Sequence, residues 1–315
     1  MLADAWPPLD LEQWLPTFQT LHRWMQIVGK VRLNLAPFED HWWHSALCVT
    51  VRGVSTSPMP CERGILELEF DFINDLLVAY TDRGESRTVG LANKSVADFY
   101  GECRELLDSL GVQVHMVPWP NELPDATPFA DDRDHATYDG DAVRRWWQAT
   151  IQADRLLKRF RGGFAGKCSP SHLWWGAMDL ACTRFSGRRA PAHPGGAPNC
   201  PDYVMLESYS HECISAGWWP GTPGSAVAEP AFYAYAYPEP DGCAAARIAP
   251  SAAFYSRELR EWILPYAAVR TAPDPDRLVM EFLETTYDTA ATLGGWDVTG
   301  LRSTADVNGM AVGRR

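Results

Sequence analysis

Residues 64–73 read GILELEFDFI, and this decapeptide decides the fold class. Leu66, Leu68, Phe70 and Phe72 are apolar at every second position, with Glu67, Glu69 and Asp71 between them. Successive side chains of a strand point to opposite faces, so the pattern predicts one strand face in a core and the other wet, as in an antiparallel sheet. Residues 76–81 and 87–91 continue the meander, with Asp82-Arg83-Gly84 as its hairpin turn. Upstream, Leu21, Trp24, Met25, Val28 and Val31 recur at helical spacing, which predicts one long helix over residues 11–35 that Pro37 stops. Residues 41–53 (HWWHSALCVTVRG) read as a strand, and Asn93 or Ser95 caps a helix that runs to Leu110 and ends at Gly111. Helices segregated from a meander make the fold class α+β.

A second round of the same order follows the Pro-rich stretch 118–128. Residues 143–164 read as a helix and 172–187 (HLWWGAMDLACTRFSG) as a long strand. Residues 208–219 and 232–237 read as further strands, and helices from near Ser251 and from Asp274 or Pro275 close the round. Both rounds run from a helix with basic positions through HWW or HLWW to a strand ending in Thr50-Val51-Arg52-Gly53 or Thr183-Arg184-Phe185-Ser186-Gly187. The expectation is an internal duplication: two sequence-related halves, 1–120 and 121–315, each a long helix, an antiparallel sheet and closing helix or helices, with a groove between them.

Composition narrows the function classes. The 315 residues are 46% hydrophobic, enough for a core in each half. With 28 basic against 40 acidic residues the formal net charge is -12, which repels phosphate backbones and anionic bilayers, so no nucleic-acid or membrane partner is expected. No signal-peptide pattern opens the chain, and the expected location is cytoplasmic. The eight cysteines lack CxxC pairs and are expected to stay thiols, mostly as small core residues. The chain has no GxGxxG, GxxxxGK[ST] or GxSxG, so no nucleotide cofactor or serine elbow is expected. Fourteen tryptophans suit either a large core or an aromatic-walled cavity.

The chemistry-bearing candidates are histidines on expected strands. His41 and His44 are three apart and so face opposite ways in a strand; His44 shares its face with Ala46, Cys48 and Thr50, small neighbours that leave room for a ligand. His172 opens the second Trp-rich strand, and His211 shares a face with Tyr209, Cys213 and Ser215. His44, His172 and His211, with Glu212, are the expected acid/base groups; the same four, with Asp179 nearby in sequence, would be the ligands of a transition metal, iron or zinc. Lys167 and Arg184, beside aromatic sequence, are expected to bind an anionic substrate group, with Trp175 and Tyr235 completing the substrate site. Arg184 continues the face of Met178, Leu180 and Cys182, while Asp179 and Thr183 continue the other, which suits a central strand between a helix layer and a pocket. The polar stripe His22, Gln26, Lys30 on the first helix reads as a solvated flank, and Glu67, Glu69, Asp71 as a wet sheet face.

The strings LHRWMQIVGKVRL, HWWHSALCVTVRG, SVADFY, GKCSPSHLWWGAMDLACTRFSGRRAP, SYSHE, AFYAYAYPEP and AFYSRELREWILPY are long and Trp-rich. They resemble the bacterial family of unknown function DUF5996 over nearly the whole chain. That resemblance implies one family unit rather than a fusion and brings no activity with it. It places His22, His41, His44, Lys167, His172, Arg184, His211 and Glu212 inside the characteristic strings. The expected function is a small-molecule enzyme with a His-centred pocket between the halves. The alternative is a non-catalytic binder of an aromatic or hydrophobic small molecule walled by Trp43, Trp174, Trp175 and Trp218; a structural or protein-interaction module is the third reading.

Overall fold

The computed structural model describes residues 5–222 and 225–304. Helix α1 (Leu11–Leu35) has the bounds that its apolar spacing predicts; Asp10 caps it by accepting from the Glu12 N–H at 3.1 Å. Strands β1 (Cys48–Val49), β2 (Gly53–Ser55), β3 (Met59–Cys61), β4 (Gly64–Asp71), β5 (Leu76–Thr81) and β6 (Ser86–Gly90) form an antiparallel sheet, in the order β1-β2-β4-β5-β6 with β3 also paired to β4. Leu66, Leu68 and Phe70 are buried without exposure, so the period-two pattern points inward where it was expected to. The acidic face is only half wet: Ser55 Oγ donates to Glu67, Thr50 Oγ1 to Glu69, and Arg52 pairs with Asp71 at 2.6 Å. Ser95 caps α2 (Val96–Ser109), and Gly111 follows its end with φ 68°.

Helix α3 (Gly140–Gly162) leads into the second sheet, formed by β7 (His172–Trp174), β8 (Asp179–Arg189), β9 (His211–Trp219), β10 (Ala231–Tyr237), β11 (Phe254–Ser256) and β12 (Glu261–Pro265). Its order is β11-β12-β10-β9-β8-β7, antiparallel at every pairing. Short helices α4 (Asp202–Ser208) and α5 (Tyr266–Thr271) flank it, and α6 (Pro275–Leu293) packs with α3 on one face. The edges β1 and β7 lie beside one another: Leu47 and Leu173 exchange both N–H···O bonds at 2.9 Å. One continuous apolar cluster, with Trp24, Phe70, Trp146, Phe232 and Phe282 among its members, runs through both halves. Mixed helix and antiparallel sheet make the class α+β. No helix among the described residues is long and apolar enough to cross a membrane.

Four local expectations are corrected. Residues 41–53 are not one strand: residues 40–45 form a 3-10 turn in which His41 and Trp42 have φ 57° and 62°, and the remainder breaks into Cys48–Val49 and the start of β2 at Gly53. Left-handed backbone at a non-glycine residue costs about 1–3 kcal/mol and leaves no trace in an alternation pattern; here the His41 and Trp42 contacts with α4 hold it. Residues 172–187 are a hairpin, turning at 175–178 with Met178 at φ 59°. The helix expected near Ser251 is the β11–β12 hairpin, because β11 and β12 complete the sheet edge beside β10. The stripe His22, Gln26, Lys30 is likewise no solvated flank: the three are 3%, 0% and 3% exposed.

Candidate functional site

The register of the second sheet separates its faces. Leu180, Cys182, Arg184, Ala216, Trp218, Phe232 and Ala234 point to α3 and α6, whereas Ala181, Thr183, Ser215, Gly217, Tyr233 and Tyr235 pair across the other face. Small residues on β8 and β9, Ala181, Thr183 and Ser215, leave a hollow there beside the β10 tyrosines. It is a cavity of 590 Å³, within the range of small-molecule sites. The residue 40–45 turn, the 115–122 segment, the Trp174–Ala177 turn, α4 and the end of α1 close it from the other sides. Residues before and after position 120 thus line it together.

Its walls are aromatic and its ionisable groups acidic. Trp42, Trp43, Trp174, Trp175 and Trp219 line it, with Phe185 and Tyr203. Glu122, Asp179 and Glu261 line it as well, each from a different stretch of chain. The Tyr233 hydroxyl donates to Asp179, and Tyr235 and Tyr209 share a hydrogen bond at 2.7 Å. The Glu122 and Glu261 carboxyls have no hydrogen-bond or ion-pair partner among the described residues. Burial pushes Asp179 up to about 6; burial and the Asp179 charge push Glu122 up to about 7 and Glu261 up to about 8. Burial lowers Lys30, the lysine of the lining, to about 8; it bonds to Asn121 Oδ1 and lies 5.3 Å from the Trp175 ring centroid.

The buried stripe of α1 builds this site. His22 Nε2 lies 3.0 Å from both the Trp175 and Gly176 carbonyl oxygens, and burial lowers its pKa to about 4. Gln26 Nε2 donates to the Asn121 carbonyl at 2.7 Å, and the Asn121 N–H donates back to Gln26 Oε1 at 2.8 Å. One helix face therefore fixes both loops that carry Glu122 and Trp175. Backbone strain gathers at the same place. Of the eight non-glycine residues with positive φ among the described residues, His41, Trp42 and Glu122 line the cavity, and Met178, Asn199 and Arg260 are next to residues that do. Such strain persists where packing over-determines it, which it commonly does at binding sites.

The expected site residues divide. Trp175 and Tyr235 line the cavity, as do Trp43 and Trp174; Trp218 faces the helices, its Nε1 donating to Thr150 Oγ1 at 3.2 Å. His44 is outside the lining, and its Nδ1 accepts from the Glu39 N–H at 3.1 Å. His172 stands behind Trp43 and Trp174, with ring centroids 6.0 and 5.4 Å away, and burial lowers it to about 4. His211 meets His41 edge-on at 5.8 Å, while Glu212 accepts from Ser186 and pairs with Arg188 at 2.6 Å. Lys167 pairs with Asp40 at 3.0 Å, with its ammonium 5.3 Å from the Trp43 ring centroid. Arg184 is on the helix face, 1% exposed. No group of three His, Cys, Asp or Glu among the described residues is arranged to hold a metal ion, so His44, His172, His211 and Glu212 do not assemble an iron or zinc set. His41 and His115 are the histidines of the lining: the His41 Nδ1 lies 3.1 Å from the Glu207 and Ser208 carbonyls, so its Nδ1–H donates and its Nε2 keeps the lone pair. Glu122 and Glu261 escaped notice in the sequence, although an acid on the inward face of an apolar strand, as in Glu261-Trp262-Ile263, is a readable signal.

Gly29 tests how tightly the wall is built. A Cβ there would sit 2.3–2.5 Å from the Trp175 indole. Helix propensity alone would have Gly29→Ala gain up to about 1 kcal/mol, but overpacking costs about 1–3 kcal/mol. The clash wins: the variant is expected to melt lower than the parent and to lose the Trp175 Nε1–H bond to the Ser45 carbonyl, now 2.8 Å. Thermal denaturation monitored by near-UV circular dichroism checks both.

A family model described as a family of unknown function (DUF5996) matches residues 6–303. Nothing matches among curated proteins or among solved structures.

Proposed function

We propose, for a chain that belongs to the DUF5996 family, that its function is to hold one small, largely aromatic molecule in the cavity between its two halves. The observation that carries this reading is the 590 Å³ hollow walled by five tryptophans over a sheet face of small residues and tyrosines. Flat apolar rings around a confined space favour a planar apolar guest, and a few fixed polar groups orient it. Calorimetric titration with indole-3-ethanol is expected to saturate at one molecule per chain. Ala181→Phe should abolish that heat without lowering the melting temperature, because Ala181 faces the cavity and the added ring fills it. Unchanged binding in the filled variant would refute the assignment.

Catalysis is the second reading, favoured by carboxyls poised near neutrality. Asp179, Glu122 and Glu261 at about 6, 7 and 8 are suited to proton transfer at ordinary pH. The acid–base work would then belong to these carboxyls, with the histidines His44, His172 and His211 supporting the wall from behind. Common ancestry of the halves belongs with this proposal; what supports it is that α1 and α3 each lead to an edge strand, β1 or β7.

A further inference from the structure

We infer that the guest of this cavity carries a positively charged amine on its aromatic frame, received by Asp179 and Glu261 on the sheet side. The inference rests on the cavity-binding reading and adds the charge class of the ligand. Three carboxyl groups line the space, and the one lysine among the lining residues is already engaged by Asn121 and the Trp175 ring, next to Glu122. Among the described residues Asp179 has the Tyr233 hydroxyl as its partner and no cation, and Glu261 has neither. Unpartnered carboxyls in an apolar enclosure are costly unless a counter-charge arrives. Tryptophan and tyrosine faces attract organic cations, so walls and floor recognise the same chemical group. An anionic guest would meet like charges on the floor, and a neutral one would leave those carboxyls unsatisfied.

Proton linkage follows from the groups that face these carboxyls: Lys30 and Cys200 beside Glu122, Tyr233 on Asp179, and Tyr209, Tyr235 and Cys213 beyond them on the sheet side. His41 and His115 also line the cavity. Below about pH 6 the three carboxyls are mostly neutral in the empty cavity, and they ionise in turn as the pH rises to about 8. An alkylamine stays protonated across that range. Its binding should therefore expel protons near pH 7 and tighten as the pH is raised from 6 to 8.

The test titrates the full chain at pH 7.5 with three indoles of one frame: tryptamine, neutral indole-3-ethanol and anionic indole-3-propionate. Tryptamine is expected to bind at least about tenfold more tightly than the alcohol, with the propionate weakest. Its heat, and not that of the alcohol, should vary with the ionisation enthalpy of the buffer. Asp179→Asn and Glu261→Gln should each bring tryptamine to within about threefold of the alcohol while alcohol binding persists, and neither should melt lower, since each amide keeps the carboxyl's shape without the cost of ionising it in a buried place. Two carboxylates are probed so that a folding defect in one leaves the other as the test. If the alcohol or the propionate binds as well as tryptamine, the amine inference fails and the cavity reading stands. Should none of the three bind, both fail.

Discussion

Truncation of Trp24 to Ala is expected to remove about 3–5 kcal/mol of folding stability, much of the margin of an ordinary domain. Trp24 has no exposed surface and stacks on Phe99 at 4.6 Å and on Tyr138 at 5.6 Å. Those rings belong to α2 and to the segment before α3, so the indole is the joint at which α1 meets both. Its Nε1 has no hydrogen-bond partner among the described residues, so truncation frees no polar group and the loss is burial plus cavity. Trp24→Phe, which keeps a ring in the stack, should recover more than half of the deficit. Urea melts of the three proteins decide this; a Trp24→Ala midpoint within error of the parent would contradict the packing account.

Arg184→Ala is expected to cost on the order of 3 kcal/mol while leaving guest binding in the cavity unchanged. The guanidinium lies 3.4 Å from the Phe160 ring centroid and 4.2 Å from that of Tyr287, and donates to the Phe160 carbonyl oxygen. Glu284 stands 3.8 Å away but is 42% exposed, so it stays hydrated when its partner is lost, and most of the cost is the vacated aromatic slot. Arg184→Lys should recover little, because an ammonium cannot fill a planar slot between two rings. The pairing of readouts is decisive: an anion-binding arginine would lose ligand and keep stability, whereas this one should do the reverse.

How far the sequence was legible depended on whether a local signal existed. Residues 11–35 carry helical spacing and end at a stop, Pro37, and the helix has those bounds. The alternation of 64–73 likewise reports burial directly. The alternation that puts Asp179 and Thr183 opposite Arg184 suited a strand between a helix layer and a pocket, and β8 does lie between helices and cavity. The 40–45 turn was illegible because His41 and Trp42 take left-handed backbone under the influence of α4, more than 150 residues away. Spacing along a strand then misdirected the choice between His41 and His44. The α1 stripe failed for a related reason: its partners, Asn121 and the 175–176 carbonyls, lie in loops whose position no periodicity reports. The cavity carboxyls come from three remote stretches, and only the folded chain brings them together.

The reciprocal bonds between Leu47 and Leu173 bear on how a guest can enter and leave. They sew the edge of one sheet to the edge of the other next to the cavity, with both leucines buried without exposure. A hinge that swung the halves apart would break both bonds and part the apolar cluster that runs through them. Exchange by whole-half opening is thus slow, on the scale of sub-global unfolding. The wall formed by α4 is built differently. Helix α4 has no buried residue, and a smaller hollow of 350 Å³ bounded by Val117, Trp119 and Asn199–Pro201 abuts the main one there. Traffic should pass between the 117–121 and 199–205 segments by local excursions, so amide hydrogens in α4 should exchange orders of magnitude faster than those of β8 and β9. Residence time is then set by the fraying of one two-turn helix, and the rest of the molecule can stay rigid while its contents turn over.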